Sequence, residues 1–217
     1  MSNYENQQSK YCYPGTDTLI NKYDIKDHKK LEKVETALTE KRLAELDQKP
    51  LTGSFGVKHL QKIHKYIFQD LYAFAGEFRE EGISKGTTFA APLFLDQNGK
   101  DLLNKQLKNE RFLKGLNKDE MSQRLSYYMG ELNFLHPFRE GNGRTQREFM
   151  RTLGLKNGFN LDWSKIDRAT MLNASVKSVL DSDAFVPIFK EVIQNDEPDQ
   201  DLIKGYKSLT KSNELEL

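Results

Sequence analysis

Only one cysteine, Cys12, is present among 217 residues, so no disulfide can form within the chain. That usage fits a reducing compartment. No apolar run approaches the roughly 20 residues that span a bilayer. The first residues, MSNYENQQSKYCYPG, lack the apolar core of a signal peptide. Neither sign of charge dominates, since the formal net charge is +1, and no global field marks a nucleic-acid binder. The expectation is a cytoplasmic protein with no direct nucleic-acid binding and no membrane segment. Of the four histidines, His28 lies in a charged run, and His59 and His64 are five apart, which is not a helical ligand spacing. No Cys/His cluster suggests zinc. There is no internal repeat and no low-complexity block.

What is present is a globular composition, 37% hydrophobic and 30% charged, long enough to bury a substantial core. Leu31, Val34, Leu38, Leu43 and Leu46 follow helical spacing over 28–48, before Pro50 and Gly53. A second helix is predicted over 57–75, with Leu60, Ile63, Ile67, Leu71 and Phe74 on one face and Gly76 as its stop. The stretch EFREEGISKGTTFAAP, with Gly82, Gly86 and β-branched Ile83, Thr87 and Thr88, predicts a hairpin or extended flap. Helical spacing returns over 93–110, 119–135 and 144–158, and 163–193 predicts one or two shorter helices. Tyr127, Tyr128 and Phe134 are expected in the core, and Arg139 and Arg151 as exposed charges. The polar end, residues 195–217, predicts a weak or disordered extension.

Between two of these helices runs HPFREGNGRTQRE, His136 to Glu148. A plain helix does not select Pro137, Gly141 and Gly143. A glycine-bearing loop leading into a helix start offers unpaired N–H groups and the positive end of a dipole, a cradle for phosphate. Arg144 and Arg147 share a helix face and suit phosphate oxygens. Glu140 stands where a carboxylate and a polyphosphate would share Mg²⁺. His136 is a side chain that accepts a proton at neutral pH. The set has the parts for attack by a hydroxyl on a nucleotide phosphate. It is neither a Walker A loop nor a dinucleotide fingerprint, because the glycine spacings differ.

The segment HPFREGNGRTQR resembles the motif HPFx[DE]GNGRxxR of the Fic/Doc family at every fixed position. YPGTDTLINKYDIKD, GEFREEGISKGTTFAAP and YYMGELNFLHPF are similar to other family segments in the same order. The resemblance covers roughly residues 11–194, leaving an irregular segment 1–10 and the tail 195–217. It implies a mainly α Fic fold, a compact helical bundle with a β-hairpin flap over the active-site loop. It also implies a protein adenylyltransferase, which moves AMP from ATP to a Ser, Thr or Tyr hydroxyl and releases pyrophosphate. His136 would be the base, Glu140 a Mg²⁺ ligand, and Gly141, Asn142 and Gly143 the anion hole. Arg144 and Arg147 would bind the phosphate tail, and Phe138 would anchor the loop. Ile83, Lys85, Thr87 and Phe89 would dock the target segment, with Ser84, Lys85 and Gly86 bordering the nucleotide.

Family members are often restrained by a helix of pattern [ST]xxxE[GN], whose glutamate pairs with the motif's second arginine, here Arg147. Thr36-x-x-x-Glu40 is followed by Lys41, and the runs from Thr210 and Ser212 end before leucine, so none matches. The resemblance then implies a toxin restrained by a small antitoxin that supplies the glutamate, with ATPase subunits of type II topoisomerases as first target candidates. The alternatives are the Fic domain of a secreted effector acting in a host cell, or a relative using another phosphate-containing donor. Doc-type kinases place lysine at the second glycine, and Gly143 is kept here.

Overall fold

The computed structural model describes residues 8–84 and 89–215, with side chains described to residue 211. Eight helices are named here: α1 (His28–Gln48), α2 (Val57–Phe68), α3 (Leu95–Gly99), α4 (Lys118–Leu135), α5 (Asn142–Lys156), α6 (Arg168–Lys177), α7 (Val186–Val192) and α8 (Gln200–Leu215). Helix α3 continues as a wider turn over Lys100–Leu107. Asp27 starts α1 by accepting the Lys30 N–H at 2.7 Å. Asn117 and Glu120 form a capping box on α4. The face of α4 predicted from spacing, Met121, Leu125, Tyr128, Leu132 and Leu135, is buried. Helix α4 packs on α5 and α7, while α2 and α8 lie against α5. The α4–α5 pair is thus the centre of the bundle, and the loop joining them is the His136 motif.

Several expectations need correction. Helix α2 ends at Phe68 rather than near residue 75. The Leu71 carbonyl, which a continuing helix would use, accepts the Lys22 N–H, and the Gln69 carbonyl accepts Lys22 Nζ. Gly76 does stand at the turn, with φ 89°. The tail is ordered as α8, which buries Tyr206 against the core. Asp199 caps it by accepting the N–H groups of Asp201 and Leu202. Arg151 is not an exposed charge: its guanidinium pairs with buried Glu148 and donates to the Leu46 carbonyl at 2.7 Å, tying α5 to the end of α1. Phe134 is exposed rather than core, because α4 turns that edge to solvent. Among the described residues no β-strand is present, only the isolated bridges Cys12–Leu19 and Leu161–Ile193 among named pairs. The expected hairpin falls largely on residues 85–88, outside the described ones.

Both histidines of α2 are structural, as expected from their spacing. His59 Nε2 donates to the Leu51 carbonyl at 2.8 Å. His64 Nδ1 accepts the Gly76 N–H at 2.7 Å, which leaves the proton on Nε2 to donate to the Glu140 carbonyl at 3.0 Å. Burial pushes both imidazoles down to about 4. An unfolded chain binds these protons near pH 6.5, so stability is full above that value and falls as the pH drops from 6.5 toward 4. The loss by pH 5 is roughly 2 kcal/mol per histidine. Urea unfolding at pH 7 and pH 5 measures it, and His59→Gln, which keeps a donor for Leu51, removes about half of the pH dependence. Equal midpoints at the two pH values refute it.

Candidate functional site

The chain leaves α4 through His136, whose backbone is left-handed (φ 43°, ψ 59°). Pro137 then prevents helix continuation. Phe138 turns inward and is buried, stacked on the His64 ring with centroids 3.8 Å apart. Asn142 closes the loop. Its Oδ1 accepts the Phe138 N–H at 2.9 Å and its Nδ2 donates to the Phe138 carbonyl at 2.8 Å. The Asn142 side chain is therefore committed to the loop, and only its backbone N–H faces the cradle role inferred from sequence.

Helix α5 begins at Asn142, two residues earlier than its periodicity suggested. Its first internal hydrogen bond runs from Thr145 N–H to Gly141 O at 3.1 Å. The N–H groups of Asn142, Gly143 and Arg144 precede that bond, at the positive end of the dipole. The two glycines do different work. Gly141 has φ +78°, and an added Cβ would lie 2.1 Å from Phe68, so the fold itself requires glycine. Among the described residues an added Cβ at Gly143 meets only Arg147 Nη1, at 3.5 Å. Packing does not demand glycine there; it leaves an exposed opening over the helix start.

The two arginines also differ. Arg144 is held from α1, donating Nη2 to Glu35 Oε1 at 2.5 Å and Nη1 to Thr39 Oγ1 at 3.1 Å, over the Phe68 ring. Glu35 in turn accepts the Tyr72 hydroxyl. Glu140 lies 3.5 Å from Arg144 and accepts the Gly141 N–H at 2.8 Å. Arg147 has no hydrogen bond or ion pair among the described residues. Burial, then the Arg144 charge, push its pKa down. A desolvated cation without a carboxylate suits an anion that arrives from outside.

No group of three or more His, Cys, Asp or Glu that could hold a metal occurs among the described residues. Glu140 alone, partly exposed beside the cradle, fits Mg²⁺, which commonly takes one carboxylate, waters and substrate phosphates. On the other side of His136, the Phe89 ring stacks on the imidazole at 4.0 Å. The structure therefore brings together His136, Phe89, Glu140 and residues 141–147. Ile83 is half-buried and Ser84 exposed, and Lys85, Gly86 and Thr87 lie outside the described residues. Arg139 is half-buried, with Nη2 3.6 Å from Cys12 Sγ, rather than a simple surface charge. Sequence reasoning missed Glu35, Thr39 and Arg79, a buried arginine behind His136. The one available signal for Glu35 and Thr39 was polar residues on the inner side of α1, four apart.

A family model described as the Fic/DOC family matches residues 54–153. Protein adenylyltransferase VbhT of Bartonella schoenbuchensis is 42% identical over 178 residues, covering 82% of this chain and 37% of that one. The chain therefore spans little more than a third of that relative's length. Probable protein adenylyltransferase Fic of Escherichia coli is 34% identical over 185 residues, covering 84% of this chain and 91% of that one. Among solved structures, BepC, a VirB-translocated effector of Bartonella tribocorum with bound AMPPNP, superposes with a TM-score of 0.78 at 28% identity. The match covers 85% of this chain and 97% of that one.

The glycine contrast is testable. Gly143→Ala should fold at least as stably as the parent, since alanine gains about 1 kcal/mol in a helix. It should still bind a nucleoside triphosphate at least about tenfold more weakly. Gly141→Ala should lose about 2–4 kcal/mol of stability. Calorimetric binding and urea unfolding read the two effects. Equal behaviour of the two variants refutes the division.

Proposed function

The chain belongs to the Fic/DOC family, and from that premise we propose that it is a protein adenylyltransferase. The observation that carries the reading is the open start of α5 at Gly143, flanked by Arg147 with no carboxylate beside it among the described residues. ATP would place its phosphate oxygens on the N–H groups of Asn142, Gly143 and Arg144, and its tail on Arg147 and the exposed side of Arg144. Glu140 would hold Mg²⁺ together with those phosphates, and the ion supplies charge neutralisation there. His136 takes the proton of a target Ser, Thr or Tyr hydroxyl. That oxygen bonds to the α-phosphorus, and the bond to the β-phosphate oxygen breaks and releases pyrophosphate. The arrangement works by placing reactants and fixed dipoles, not by a covalent enzyme intermediate.

The segment Ile83–Phe89 is the target-docking flap in this reading, pairing strand-like with the segment to be modified. Phe89 against His136 supports it, because Phe89 is the last residue of that segment and lies beside the proposed base. Ser84, Lys85 and Gly86 would border the nucleotide, Lys85 and Gly86 lying outside the described residues. The partner that restrains the enzyme is a small antitoxin whose glutamate pairs with Arg147. The absence of an intact [ST]xxxE[GN] run and the lack of a carboxylate at Arg147 among the described residues both favour a glutamate from outside. Type II topoisomerase ATPase subunits in a bacterial cytoplasm are the first targets to try. The likeness to BepC favours a second reading, an effector domain acting in a host cell. No helix among the described residues is long and apolar enough to cross a membrane.

The protein is incubated with Mg²⁺ and either α- or γ-labelled ATP in a bacterial lysate. Label should reach a protein from the α position only. His136→Ala should lower transfer at least about 100-fold while ATP binding persists. Label from the γ position alone, or undiminished transfer by the variant, overturns the reading.

A further inference from the structure

A helix that ends in a left-handed residue normally uses glycine there. Helix α4 ends instead in His136, with φ 43° and ψ 59°, a conformation that a side chain disfavours. Arg79 holds this turn from three sides. The backbone N–H of Arg79 donates to the Pro137 carbonyl at 2.9 Å, Nε to the His136 carbonyl at 2.8 Å and Nη2 to the Leu135 carbonyl at 3.3 Å. Three successive carbonyls at the end of α4 therefore accept from Arg79, including the helix's own orphan acceptors. The remaining donors reach across to the segment that Arg79 itself begins. Nη1 donates to the Glu81 carbonyl at 2.8 Å and Nη2 to that of Ala90.

Arg79 is 2% exposed and makes no ion pair among the described residues. Its charge is compensated by carbonyl oxygens and by the negative end of the α4 dipole. A second hold acts on the side chain. The imidazole lies flat against Phe89 at 4.0 Å, and the next residue, Ala90, donates its N–H to the Phe134 carbonyl at 3.2 Å. Arg79 grips the carbonyl of that same Ala90. The backbone beneath the imidazole and the ring above it are thus fastened through one guanidinium.

We propose that Arg79 is a positioning residue for His136, fixing the left-handed turn and the Phe89 stack that together set where the imidazole stands. The catalytic consequence rests on the adenylyl-transfer reading, whereas the fixation of the imidazole does not. Lysine cannot replace this residue, because a single ammonium cannot reproduce a planar fork aimed at carbonyls on two segments.

The test is Arg79→Lys in the full chain, read first by the ring C–H signals of the four histidines in a nuclear magnetic resonance spectrum. The expected result is a displaced His136 signal, with His59 and His64 at their parental positions. AMP transfer, normalised to nucleotide-binding sites, should show kcat lowered at least about tenfold and KM for ATP within about twofold. An unmoved His136 signal, or equal displacement of His59 and His64, overturns the proposal, the latter because it reports general loosening. If the variant does not fold, the parent protein decides: its Arg79 Nε–H should exchange slowly with solvent. Exchange as fast as that of an exposed arginine overturns the proposal. A parent that transfers no AMP sinks the functional reading, and the spectra alone then judge Arg79.

Discussion

The pair of hydrogen bonds between the Asn142 side chain and the Phe138 backbone is the constraint on which the site depends. It joins a residue at the start of α5 to the middle of the loop that leaves α4. With that bracket closed, Phe138 is pinned in the core against His64, and His64 holds the Glu140 carbonyl. The Glu140 side chain and the α5 N-terminus then share one side of the loop. Both bonds are buried, so a lost partner would leave the other group unsatisfied at a cost of about 1–3 kcal/mol. The loop is therefore rigid although it contains Gly141. Preorganisation of this kind is what a phosphate cradle needs, since donors that must first be gathered lose part of their binding energy to ordering.

Within this frame, neighbouring residues of one motif serve different ends. Gly141 lets the backbone pass Phe68, whereas an added Cβ at Gly143 would make, among the described residues, one ordinary contact with Arg147 Nη1. Asn142 belongs to the scaffold through its side chain and, in the proposed reading, to the cradle through its N–H. A motif of fixed letters thus mixes fold requirements with, in the proposed reading, ligand requirements.

The central helices and the motif were legible in the sequence because both signals are local. Spacing of apolar residues marked α1, α4 and α5, and glycines beside a proline marked the loop. What escaped was nonlocal. Arg79 lies 57 positions from the carbonyl it grips, and Glu35 lies 109 from its arginine. No spacing rule links such residues. Helix α8 is a different case: Leu202, Ile203, Tyr206 and Leu209 do carry a helical stripe. Its charged surroundings outweighed that stripe, and the buried face became decisive only once α5 was there to receive Tyr206. Arg151 misled for a similar reason. A charge reads as exposed until its partner, here Glu148 one turn earlier, is seen buried with it.

Glu35 explains how one site keeps a carboxylate and two cations without collapsing into mutual neutralisation. Arg144 stands between two carboxylates, at 2.5 Å from Glu35 and 3.5 Å from Glu140. The closer contact is buttressed by Thr39 and by the Tyr72 hydroxyl on Glu35. Coulomb attraction falls with distance, and steeply where water is excluded, so α1 takes the larger share of the Arg144 charge. Without Glu35, the geometry would draw Glu140 into a tight pair with Arg144 one turn away, a spacing that helices favour. With Glu35 in place, Glu140 keeps a longer contact and stays beside the N-terminus, while Arg147 receives no carboxylate from the described fold. A helix that looks like ordinary scaffold therefore takes up much of the Arg144 charge beside the proposed cradle.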